Sequence, residues 1–315
     1  MKKRRILLAL IMLIISGVSL TTATYAWFTA NRAVTVEEID VKASASGGIQ
    51  ISADAKTWSN EVTLANLRDT ELTNNYIPTE ALKPVTTVGV NGTTGKFDFF
   101  LGELDDAGTK VSLEPTADAD KNYIAFDLYF YSATAQKIEF NAGTDVVAKN
   151  VGGTGNATDA GLKSSVRVGF LVQGNDATAT TDTAKALNGG TKATQTIWEP
   201  NANTHTDYAT NMLHAEGVMT TMGGNKKTND AGAAKTYVPV TDTGYFENIV
   251  AATHGLKTSN TGAYPAGTIF DFPAGINKVR VYVWLEGQDV DNEDTASLGT
   301  GVGVKLNFKL ADAGA

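Results

Sequence analysis

Apolar residues along this chain return in short alternating runs separated by glycine-marked turns, the period-two pattern of β-strands with one or both faces covered. In the strongest run, Tyr123 to Tyr131, Ile124, Phe126, Leu128 and Phe130 share one parity and Tyr123, Tyr129 and Tyr131 the other. That pattern predicts a core strand buried on both faces. Lys137 to Phe140 reads as its partner, and Ser165 to Val172 turns Val166, Val168 and Phe170 inward. Lys278 to Leu285 sets Val279, Val281, Val283 and Leu285 on one face and Tyr282 and Trp284 on the other. Shorter strand-like runs lie at Ile49 to Ser52, Lys96 to Leu101, Ile269 to Phe272 and Gly303 to Leu310, while Leu64, Leu67, Leu72 and Ile77 suit a short helix or turn. Helical periodicity is scarce after residue 30. The predicted fold is all-β: an antiparallel jelly-roll-like β-sandwich over 42–310, with a loop-rich elaboration at about 173–265 and a tail at 311–315.

The first 41 residues break this pattern in an informative way. Lys2, Lys3, Arg4 and Arg5 precede an apolar run from Ile6 to Val18 that only Ser16 and Gly17 interrupt, and small residues follow to Ala26. This is the layout of a secretory signal peptide over 1–26, with Thr24 and Ala26 at the −3 and −1 positions of a cleavage site before Trp27. Its apolar core of about 13–15 residues is short of the roughly 20 that a membrane-crossing helix needs. The alternative is a retained anchor extended through Tyr25, Ala26, Trp27 and Phe28; in both cases the membrane is engaged only through this segment and the rest of the chain is exported. Residues 27–41 then form a separate strand-prone segment. Val34 and Val36 fall on one parity and Ile39 and Val41 on the other, so a bulge at Glu37-Glu38 is needed to turn all four inward.

Composition narrows the function classes. Without the four signal cations the mature chain keeps 22 of 26 basic residues against 34 acidic ones, a formal charge of −12. Such a surface repels phosphate backbones, which argues against nucleic-acid partners. There is no cysteine, which excludes disulfides, thiolate metal sites, a cysteine nucleophile and a lipid-modified cysteine.

The run Thr24-Tyr25-Ala26-Trp27-Phe28-Thr29, the strand-prone segment ending Ile39-Asp40-Val41-Lys42-Ala43 and the closing Gly303-Val304-Lys305-Leu306-Asn307-Phe308-Lys309-Leu310 resemble the TasA and camelysin family of secreted biofilm-fibre proteins. Residues about 18–51 and 276–310 carry this likeness, and the stretch between them does not. The resemblance implies processing by a signal peptidase of the SipW type and a role as a self-assembling fibre subunit. It also raises a metalloprotease activity, for which the zinc motif is missing: His214 is followed by Ala215-Glu216-Gly217, and His205 and His254 stand alone. Neither a serine-nucleophile elbow nor a phosphate-binding loop is present. The chain reads as a non-enzyme without a cofactor.

One acidic stretch after the Val279 run carries alternating oxygen donors. Asp289, Asp291, Asn292 and Asp294 are weak calcium candidates, because calcium favours many hard oxygens, but the full spacing of an EF-hand loop is lacking and a solvated loop explains them as well. The expected function is therefore a structural subunit of an extracellular or cell-surface fibre, a filament of itself. Its assembly segment is Trp27, Phe28, Val34, Val36, Ile39 and Val41, laid as an added strand in the sheet of the next copy. The same segment can instead pair within its own sandwich. The rival function is a monomeric secreted adhesin or carbohydrate-binding module, with Trp198, Tyr208, Tyr237 and Tyr245 stacking on sugar rings.

Overall fold

β-Branched and aromatic residues at alternate positions build fifteen strands among the described residues, joined by three helices of one to two turns. The computed structural model describes residues 34–44, 48–90, 95–104, 111–114, 122–152, 155–158, 162–189, 194–198, 246–247, 268–286 and 300–311. The strands are β1 (Val36–Ala43), β2 (Gln50–Ser52), β3 (Glu61–Thr63), β4 (Thr86–Val90), β5 (Phe97–Leu104), β6 (Val111–Glu114), β7 (Tyr123–Ser132) and β8 (Gln136–Phe140). They continue as β9 (Asp145–Asn150), β10 (Val166–Asp176), β11 (Thr194–Trp198), β12 (Phe246–Glu247), β13 (Thr268–Phe272), β14 (Gly275–Leu285) and β15 (Thr300–Leu310). The helices are α1 (Leu64–Leu67), α2 (Leu162–Ser165) and α3 (Thr181–Ala186).

Two sheets share the main core. One runs in the order β13-β8-β15-β1-β3 with β9 also on β15, and the other runs β11-β10-β14-β7-β2. Their inner faces meet through Ile39, Val41, Val304, Leu306 and Phe308 on one side and Phe126, Phe130, Val168 and Val281 on the other. Phe308 meets Phe130 edge-on at 5.2 Å between ring centroids, a favoured geometry for aromatic pairs. A third sheet, in the order β12-β6-β5-β4, lies outside the second. There Phe97 and Phe99 of β5 pack on Tyr282 and Trp284, and Phe99 stacks on Tyr123 at 4.3 Å.

The two-sided burial expected of Tyr123 to Tyr131 is present: Ile124, Phe126, Leu128 and Phe130 fill the main core, and Tyr129 packs with Ala55, Ala184 and Ile276 on the opposite face. Every residue of β14 is buried. The division of Val279, Val281, Val283 and Leu285 from Tyr282 and Trp284 is that of two separate apolar clusters.

Three features differ from the sequence expectation. β8 does not pair with β7; residues 133–135 carry the chain to the opposite sheet, where β8 sits between β13 and β15. Strand pairing is not wholly antiparallel, since β1 runs parallel to β15. A parallel pair needs no hairpin between its members, so strands distant in sequence can form it. Finally, residues 173–176 and 194–198 of the expected elaboration are sheet: β10 continues to Asp176, and β11 pairs with it over Val168 to Val172. Apart from 246–247, the elaboration beyond Trp198 lies outside the described residues.

Candidate functional site

β1 is the first described strand and the most complete feature of the chain's N-terminal side. Its pairing with β15 aligns Val36 with Val302 but Glu38 with Gly303, so Glu37 is the extra residue of a bulge. The inserted residue converts even parity into odd. Val34, Val36, Ile39 and Val41 therefore all face the main core, and none is more than 7 % exposed. The same parity change turns both Glu37 and Glu38 to the outer face. On its other side β1 is held more lightly, by register with β3 at Asp40, Val41 and Lys42 and by reciprocal hydrogen bonds between Val34 and Leu82.

The outer face of the β1/β15/β9 layer is shaped by missing side chains. Val302 and Val304 of β15 point into the core, while Gly301 and Gly303 between them leave a bare trough on the outside. A methyl group at Gly301 would come to 2.5 Å from Glu37 Cγ, and one at Gly303 to 2.8 Å from Lys149 Cε. These are the side chains that cross the trough. Lys149 of β9 passes over Gly303 and forms an ion pair with Glu38 Oε2, whose other oxygen is 4.0 Å from Lys305 Nζ. Glu37 lies over Gly301, where its Oε2 accepts from the backbone N–H of Gly152 at 3.2 Å and its Oε1 from the Thr35 hydroxyl at 2.6 Å. Two acids of β1 thus clasp β9 and the turn after it, with Lys305 as the side chain of β15 that meets them.

A second polar constellation lies on the outer face of β7 and β14. Asp127 receives Lys278 Nζ at 3.1 Å and Arg280 Nη1 at 2.9 Å, and Arg280 also donates to Asn74 O at 2.9 Å and to the Tyr282 hydroxyl at 3.2 Å. Burial pushes the phenols of Tyr129 and Tyr282 above their ordinary value, which keeps both as neutral hydroxyls. A cavity of about 70 Å³ beside the cluster is lined in part by Asn74, Asn75, Asp127 and Tyr129. Asn75 takes the place of a strand here: its side-chain oxygen accepts the Asp127 N–H at 2.9 Å. With one carboxylate already shared by two cations, the cluster pins residues 74–76 against the sheet and offers no open metal position.

Two exposed turns are organised by single carboxylates. Asp54 accepts from the backbone N–H groups of Lys56 and Thr57 and from the Ser52 and Thr57 hydroxyls. Partial burial works against its ionised form, but these donors outweigh it and hold the carboxyl at about 2. Asp176 likewise gathers Thr178, Thr180 and Thr183 at the start of α3, and those hydrogen bonds hold it far below the usual carboxylate range.

The sequence-predicted residues divide cleanly. Val34, Val36, Ile39 and Val41 are brought together in one buried row. Thr24, Ala26, Trp27 and Phe28 lie outside the described residues, as do the calcium candidates Asp289, Asp291, Asn292 and Asp294. Glu286, at the head of that acidic stretch, is fully buried and accepts from the Trp284 indole N–H at 3.1 Å. Among the described residues no group of three or more potential metal ligands occurs. Trp198 is removed from the sugar-stacking set: it is fully buried and packs on Phe140 at 5.0 Å, because β11 places it on the core side of the second sheet. Tyr208, Tyr237 and Tyr245 lie outside the described residues. Sequence reasoning did not find the trough or the Asp127 cluster. The alternation Gly301-Val302-Gly303-Val304 beside an acidic bulge was the available signal for the first.

Compared with protein-family models, curated proteins and solved structures, the chain shows no significant match.

Proposed function

We propose that this protein is an exported structural subunit of an extracellular or cell-surface fibre, a jelly-roll-like sandwich that assembles by passing its N-terminal strand to the next copy. The observation that carries this reading is the seating of β1. It is joined to β15 through seven aligned positions, yet no hairpin ties the two strands, and only three aligned positions hold it to β3. Withdrawal of β1 bares the edge of β15 and a slot above Val304 and Leu306, which an identical strand from another copy fills at the same register. Each buried Val or Ile of the inserted strand contributes about 1.5–3 kcal/mol relative to exposure. A head-to-tail exchange of this kind does not close on itself and so grows as a filament. The TasA and camelysin likeness of the two chain ends supports the same reading, and so does the signal-like start.

Because the chain contains no cysteine, a single engineered disulfide can report which copy β1 occupies. Lys42 and Glu61 are direct partners across β1 and β3. In oxidised fibres of the K42C/E61C variant, exchange between copies gives a ladder of covalent multimers on a non-reducing gel. A single internally bridged monomer band from fibres overturns strand exchange. Protein that stays monomeric under all conditions, after removal of residues 1–26, favours the adhesin or binding-module alternative.

A further inference from the structure

β1 carries its own address. We infer that the Glu38 clasp over Gly303 is the specificity key by which a subunit accepts β1 from another copy of this chain. The inference rests on the strand exchange proposed above and adds to it the residues that select the partner.

Backbone hydrogen bonds and a row of valines cannot by themselves choose a register or a partner, since a slip by two residues keeps the same face buried. Three observations supply what they lack. The bulge at Glu37 shifts the register with β15 so that Val36 aligns with Val302 and Glu38 lies beside Gly303. The glycine leaves the outer surface of β15 bare at that level, so the key is read from the strand beyond it, by Lys149 of β9. Lys305, on β15 itself, adds a second positive charge 4.0 Å from the same carboxylate. Glu38 and Lys149 are partly shielded from solvent, at 29 % and 13 % side-chain exposure, so the pair is less screened than an open surface pair. A strand with a neutral residue at this position leaves both lysines without their counter-charge, and one with a basic residue sets like charges across the interface, which discriminates strongly between partners. The occupant that satisfies bulge, glycine gap and paired lysines together is the acidic β1 of a second copy.

Charge reversal tests this in trans. The strand variant E38K pairs lysine with lysine in its own slot, and the slot variant K149E/K305Q pairs glutamate with glutamate. The key predicts that each alone needs at least about tenfold more protein than the native chain to form fibres, whereas an equal mixture assembles near the native concentration into fibres containing both chains alternately. The combined chain E38K/K149E/K305Q also recovers, which shows that the single-sided variants failed through charge and not through general misfolding. If each variant alone polymerises as readily as the native chain, the key is overturned while strand exchange stands. If the combined chain recovers but the mixture does not, the clasp acts only within one chain, and its assignment to a partner copy is overturned. A native chain that forms no fibres removes strand exchange itself, and the partner key with it.

Discussion

Lys149 on β9 reaches Glu38 on β1 across the full width of β15, over a position where Gly303 has no side chain to obstruct it. Strands two places apart in a sheet are separated by roughly 9–10 Å, so the contact uses the length of a lysine stem laid flat. The glycine is needed for what crosses it, since the backbone is extended there.

Substitutions at the two trough glycines should differ in severity. At Gly303 an added methyl meets the flexible stem of Lys149, which can move aside and give up its ion pair; the expected loss is about 1 kcal/mol. At Gly301 it meets Glu37 Cγ and also, at 2.9 Å, the backbone oxygen of Thr35, which cannot retreat without disturbing β1. G301A should therefore cost about 2–3 kcal/mol. Urea midpoints of the two variants check the order, and equal midpoints contradict it.

Deleting Glu37 removes the bulge and restores simple alternation. Ile39 and Val41 can then be buried only if Val34 and Val36 turn outward, so one pair is lost from the core in either register. With about 1.5–3 kcal/mol at stake for each side chain, the deletion should lower stability by about 3 kcal/mol or more. E37A keeps the bulge and loses only the contacts to Gly152 and Thr35, so it should cost about 1 kcal/mol. Hydrogen exchange of the β1 amides distinguishes the two.

Asp127 balances two buried cations, and its removal should be strongly destabilising. D127N leaves Lys278 and Arg280 facing each other without a carboxylate, an arrangement that costs about 3–5 kcal/mol. K278M leaves the Asp127–Arg280 ion pair in place and fills the lysine's space with apolar atoms, so it should cost less than about 1.5 kcal/mol or be stabilising. Thermal unfolding of both variants at pH 7 provides the comparison.

The Asp54 turn should give the protein part of its acid sensitivity. Its carboxyl titrates at about 2 in the folded chain and near 3.9 when unfolded, so its stabilising contribution is present above about pH 4. As pH falls through this window the unfolded chain binds the proton first, and the contribution is lost towards pH 2. The group is only partly buried and solvent screens it, which reduces the effect to about 1 kcal/mol. In D54N, stability should be lower at pH 7 and should fall less steeply between pH 4 and pH 2. An unchanged slope in denaturant titrations excludes the turn as a source of acid sensitivity.

Much of the architecture was legible as parity. The two faces of β7 and β14 were visible in the alternation of aliphatic and aromatic residues, and the bulge in β1 followed from two pairs of apolar residues that could not otherwise share a face. The role of Trp198 was not legible, because an isolated tryptophan after a polar stretch carries no sign of the strand that will bury it. Nor was the Asp127 cluster: its members come from β7, β14 and the segment around Asn74, three places that only the sheet brings together.

What the chain's letters determined alone is where strands form and which side chains share a face, because side-chain direction depends on the local two-residue repeat. Tertiary structure decided the partners. It sent β8 to the opposite sheet, set β1 parallel to β15, and laid Lys149 across Gly303 to Glu38. Those choices depend on closing long loops and matching backbone hydrogen bonds, and every strand offers the same N–H and C=O groups whatever residues it carries.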